Sequence, residues 1–172
     1  MKLIGPWDAV GRFFDGVARS VREEMAAAQE EVAAMALESV KTAAKSTAPL
    51  HPFTAMQKGS SVPLMGGKLE EEGLFAETQI DPVGAPLVDI WVGVRGDYAL
   101  IARVQQEGVV LNVTEAMRGY LRWQGLPLRD ETRTIMIPAR PFIDPGMEAI
   151  RGRATYLFTR AFVRGFKTRW FG

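Results

Sequence analysis

The side chains able to do chemistry are few and scattered along the chain. His51 is the single histidine; it sits between Leu50 and Pro52, with no serine or carboxylate spaced to make it a base or a metal ligand. Glu70, Glu71 and Glu72 put three carboxylates in a row. Neither a helix nor a strand aims three consecutive side chains at one cation, so they read as a solvated acidic patch. Gly93-Val94-Arg95-Gly96-Asp97 lacks the further glycines, lysine and hydroxyl of a phosphate loop, and reads as a strand-to-helix turn. Asn112-Val113-Thr114 matches a glycosylation acceptor by letter alone, since nothing else points to secretion. With no cysteine in the sequence, thiolate metal sites, disulfides and cysteine nucleophiles are excluded. No catalytic residue, metal or cofactor is expected, and the chain reads as a non-enzyme.

What remains is charge. Lys and Arg against Asp and Glu number six to seven over residues 1–50, four to eight over 51–110 and eleven to five over 111–172, which gives −1, −4 and +6. Arg153, Arg160, Arg164 and Lys167 recur at i, i+7, i+11 and i+14, the spacing of one stripe along a helix. Beside it Ile150, Leu157, Phe158, Ala161, Phe162 and Phe166 form an apolar side, expected to be core. Three uses of the stripe stay open: a solvated face, a contact with Glu70, Glu71, Glu72 and Glu77 of a neighbouring copy, or non-specific DNA binding. No aromatic side chain lies inside it to stack on bases.

The elements that position these residues follow from periodicity and punctuation. Pro6 with Asp8 is a helix start, and no proline intervenes before Pro49. Phe14, Ala18, Val21, Met25, Ala28, Val32 and Met35 repeat at steps of four and three, one stripe of a helix about 50–60 Å long. A break near Gly16 or Ser39 would shorten it; unbroken, it is long enough that part of the stripe must face something outside its own core. Residues 49–73 hold prolines and glycines without a period and read as an extended arm. Strands are expected over Leu74–Asp81, Leu87–Arg95 and Thr132–Ile137, with Val88, Ile90, Val92 and Val94 on one face and Trp91 on a partly covered other. Short helices follow over Tyr98–Gln106, ended by Gly108, and Thr114–Gln124, with Thr114 as N-cap and Gly125 as a left-handed stop. Asp144-Pro145 opens a last helix to about Arg169.

The expected architecture is therefore α+β: a long N-terminal helix, an extended arm, and a small antiparallel sheet packed by short helices and a C-terminal helix. The 172 residues suit one domain, divided as 1–48, 49–73, 74–143 and 144–172. Apolar residues at 47% and charged residues at 24% are the balance of a soluble globular chain. No apolar run approaches the roughly 20 residues of a membrane span, and the N-terminus lacks the pattern of a secretory signal.

Two stretches resemble the Mu-like family of phage virion morphogenesis and tail-completion proteins. The first is Pro49-Leu50-His51-Pro52-Phe53-Thr54, then Gln57-Lys58-Gly59-Ser60-Ser61-Val62-Pro63-Leu64 and Gly67-Lys68-Leu69; Gly66 stands where the family usually has threonine. The second comprises Asn112-Val113-Thr114, Met117-Arg118, Gly125-Leu126-Pro127-Leu128 and Ile137-Pro138-Ala139-Arg140-Pro141-Phe142, and between the two Val92-Gly93-Val94 and Tyr98-Ala99 stand where the family has a Val-Gly strand and a Tyr-Ala helix start. The resemblance covers about residues 46–150. It implies a structural subunit of the tail or neck that assembles with itself in a ring, a hexamer by the family's pattern, and meets other neck and tail proteins. The implied location is the virion, with the host cytoplasm during assembly. Within the last motif, two prolines three apart make a rigid corner, Phe142 offers an anchor and Arg140 a planar fork for a carboxylate. Packing within the chain and contact between subunits both need that rigidity, and both stay open. The alternative class is a nucleic-acid-binding protein using the basic C-terminal helix.

Overall fold

In a computed structural model of the chain, residues 6–48, 72–80 and 88–170 are described. They form an α+β fold: α1 (Pro6–Ser46), β1 (Leu74–Ile80), β2 (Val88–Val94), α2 (Tyr98–Glu107), β3 (Val109–Asn112), α3 (Glu115–Trp123), β4 (Thr134–Ile137) and α4 (Ile143–Trp170). Most of the expected arm, with His51, Glu70 and Glu71, lies outside the described residues, as does the first stretch of the family resemblance.

The frame is a pair of antiparallel helices. Gly146 of α4 sits against Val40 of α1, and Gly165 sits against Val21. Nineteen residues separate the contacts in each helix, so the two remain level over about 28 Å. The approach is close because the facing residues are small: Ala28, Ala33, Ala36 and Ala44 on α1 are buried, and a Cβ on either glycine would fall within 2.7 Å of α1 backbone. α1 runs unbroken through both sites where a break was considered. Ser39 turns its hydroxyl outward instead, and Oγ donates to the Gly146 carbonyl at 2.7 Å.

The strands form two separate two-stranded antiparallel ribbons, β1–β2 and β3–β4, rather than the single sheet expected. Ile90, Val92 and Val94 face the helix pair as their alternation requires, packing on clusters built from Val32, Ala36, Val40, Ala44, Ile150 and Leu157. Gln29, buried on α1, sends its Nε2 to the Asp89 carbonyl. The other face of β2 is open, not partly covered: Trp91 is 62% exposed. β3 was not anticipated, because Val109–Asn112 is too short to display alternation. It pairs Val109 with Ile137 through to Asn112 with Thr134.

Local punctuation follows the sequence closely. Thr114 Oγ1 accepts from the Met117 amide at 3.2 Å as the N-cap of α3, and Gly125 and Gly108 take positive φ where stops were read. At Gly108 a side chain would also meet Ala139 N at 2.7 Å. The last helix starts at Ile143, one residue before Asp144. Its first free amides are capped from outside the helix: Gln106 Oε1 of α2 accepts from Phe142 N at 3.0 Å and Ile143 N at 3.4 Å.

Candidate assembly interface

The corner Ile137-Pro138-Ala139-Arg140-Pro141-Phe142 is built inward. Phe142 is 1% exposed and shares a cluster with Val40, Ala44, Leu74 and Ala102, so its anchor is its own chain and not a neighbour. Arg140 donates its amide to the Gln105 carbonyl at 2.6 Å and Nη1 to Gln105 Oε1 at 3.4 Å. Its Nε is buried with no hydrogen-bond partner, and its fork turns to a glutamine of α2 rather than to a carboxylate. Pro138 is exposed and is the part of the motif left on the surface with Ala139 and Pro141. Arg118, within the family-like stretch, has an intrachain role as well. Its guanidinium donates to the carbonyls of Arg129, Asp130 and Thr132 and so gathers the loop between α3 and β4.

The basic stripe of α4 divides. Arg164 pairs with Glu24 of its own α1, so it is committed within the chain. Arg153, Arg160 and Lys167 are exposed, with no ion pair among the described residues. Of the acidic partners expected for the stripe, Glu77 is taken by Arg95, which also lies 4.4 Å over the Phe75 ring. Glu72 is exposed and accepts from the Tyr98 phenol, whose pKa is raised first by partial burial and then by the charges of Glu72 and Asp97.

The larger departure from expectation is apolar. Phe162 and Phe166, read as core, are 52% and 40% exposed, because β1–β2 covers α4 only as far as Phe158. On α1, Trp7, Val10 and Phe14 are exposed. On a helical projection they continue the stripe that buries Val17, Ala28, Val32 and Ala36. Gly165 faces Val21 and α4 ends five residues later at Trp170, so the stripe from Phe14 to Trp7 outruns α4 by about 3–14 Å. This is the surplus stripe that the helix length implied.

Among the described residues no three His, Asp or Glu side chains gather as a metal site, and no helix is long and apolar enough to cross a membrane. Comparison with protein-family models, curated proteins and solved structures found no match.

Proposed function

We propose that the protein is a non-enzymatic assembly subunit of a tailed-phage virion, a ring-forming component of the neck or tail. The observation carrying the assembly part is the exposed apolar stripe of α1, with Trp7 82% exposed at its end, continuous with a stripe buried in the same helix. Large contiguous apolar exposure of this kind marks a surface that another protein covers. The phage assignment rests on the sequence resemblance over about residues 46–150, of which 92–142 carry the second stretch and the two pieces that precede it. Its residues find coherent structural work: the Pro-Ala-Arg-Pro-Phe corner locks α2 to α4, and Arg118 gathers the loop before β4.

The test is the mass of the purified full chain by light scattering, followed by electron microscopy of virions labelled with an antibody against it. A defined oligomer and label at the head-tail junction are expected. A monomer at all concentrations, or label confined to the capsid face or tail tip, would reject the proposal. One observation favours a second reading, nucleic-acid binding: Arg153, Arg160 and Lys167 are three exposed cations on one helix without ion pairs among the described residues. Such binding weakens steeply with salt, and filter retention of duplex DNA at 50 and 200 mM salt separates the two readings.

A further inference from the structure

The geometry points to a specific contact between copies: the outward face of α4 of one subunit packs antiparallel on the back of α1 of the next, in the same vertical register as the helix pair within the chain. This deepens the assembly reading and rests on it.

Each helix carries a second stripe, opposite the one that joins α1 to α4. On α4, Gly152, Tyr156, Thr159, Val163 and Phe166 follow at steps of four, three, four and three, and all are exposed. That is the spacing of a helix-packing seam. On α1, Ser20, Glu23, Ala27, Glu30 and Ala34 follow at three, four, three and four; Glu23, Ala27, Glu30 and Ala34 are exposed and Ser20 is half-buried.

The contacts Val40 to Gly146 and Val21 to Gly165 fix which residues of the two helices are level. Subunits arrayed around an axis parallel to the helices keep those levels in the next copy. Phe166 then meets Ser20, Val163 meets Glu23, Thr159 meets Ala27, Tyr156 meets Glu30 and Gly152 meets Ala34. The bulky side chains of α4 fall opposite small or flexible ones, the Tyr156 hydroxyl falls beside a carboxylate, and the glycine falls opposite an alanine.

Charge selects the occupant. The seam of α4 is flanked by Arg153, Arg160 and Lys167, and the seam of α1 itself carries Glu23 and Glu30, both exposed. The glutamates occupy levels between Arg153 and Lys167 on the facing helix. Glu30 is three residues, about 4.5 Å, from the level of Arg153. The contact is heterologous, one patch meeting a different patch, as a closed ring requires.

The absence of cysteine makes the test direct. Ala27→Cys combined with Thr159→Cys, oxidised at assembling concentration, is expected to give a reducible ladder of dimers, trimers and larger species. Within one chain these positions lie on opposite outer sides of the helix pair, about 13 Å apart, beyond disulfide reach. The off-level pair Ala27→Cys with Gly152→Cys, about 10 Å out of register, is expected to give none. In a cysteine-free background, Arg153→Glu is expected to weaken association about two- to fivefold and Glu30→Arg to restore it. Equal ladders from both cysteine pairs, or dimers from either single variant, would overturn the register. A chain that assembles by light scattering without cross-linking in the level pair refutes this interface while the assembly reading stands. A chain that is monomeric throughout refutes both.

Discussion

Adding one methyl group to α4 at Gly146 tests the close helix approach on which the fold depends. Gly→Ala within a helix is ordinarily favourable by about 0.5–1 kcal/mol. At Gly146 the new Cβ would lie 2.7 Å from Val40 Cα, 2.8 Å from Val40 Cγ2 and 2.9 Å from Val40 N. Two of these are backbone atoms of a continuous helix and cannot rotate away, so the helices must separate by several tenths of an ångström. Overpacking of this kind costs about 1–3 kcal/mol. At Gly152, on the same helix, a Cβ meets nothing within 4 Å, so Gly152→Ala keeps the propensity gain and incurs no packing cost. Subtracting one variant from the other cancels the propensity and leaves the clash alone, about 1–3 kcal/mol. With urea slopes of about 1–3 kcal/mol per molar, the two unfolding midpoints should differ by about 1 M, Gly152→Ala above the parent chain and Gly146→Ala below Gly152→Ala. Measurement by circular dichroism at a concentration where the chain is monomeric avoids contributions from assembly. Midpoints within 0.2 M of each other would show that α1 and α4 do not approach as described.

Gln106→Leu removes the acceptor for the first amides of α4 and should cost about 0.5–2 kcal/mol in the same unfolding assay, whereas Gln106→Glu should retain most of the stability at neutral pH because a carboxylate also suits a helix N-terminus. Arg118→Ala should open the segment between α3 and β4 to limited proteolysis while the helix pair stays protected, and Arg118→Lys should not restore protection, because an ammonium cannot span three carbonyls as a guanidinium fork does. The raised Tyr98 pKa favours its protonated form in the folded chain, so the Tyr98–Glu72 contribution to stability should be complete below the ordinary tyrosine value and lost as pH rises through the higher folded one. Difference absorbance titration against Tyr98→Phe should show this late phenolate, and Glu72→Gln should move it down.

The elements with strong punctuation were legible from sequence: α1 from Pro6, the N-cap at Thr114, the stops at Gly108 and Gly125, and the inward face Ile90, Val92 and Val94. Each is set by local chemistry within a few residues. What was not legible depends on partners distant in sequence. β3 exists because Thr134–Ile137 lies beside it, and Gln106 acts as a cap because the corner at Pro138 and Pro141 returns the chain to α2. Phe142 is equally suited by type to a core or an interface, and only the position of α1 decides for the core. For α4 the single apolar side read from Ile150 to Phe166 combined two faces, one toward α1 through Ile150, Leu157 and Ala161 and one away through Phe162 and Phe166. A helix apolar on both sides has no unique period to read.

The pairing of α1 with α4 also has a consequence for the order in which the chain is made. About a hundred residues separate Ser46 from Ile143, and at roughly 5–20 residues per second they take about 5–20 s to synthesise. Throughout that interval the stripe of Val32, Ala36 and Val40 is finished but lacks the Ile150 and Leu157 that will cover it. On a polysome, neighbouring nascent chains hold the same uncovered helix beside α4 segments at later stages of synthesis. An α4 from one chain can then close on the α1 of another, exchanging the element between protomers. Keeping nascent copies apart or shielding α1 would suppress that exchange, and overexpression from a crowded message should raise the fraction of exchanged dimers above that obtained by refolding from dilute solution.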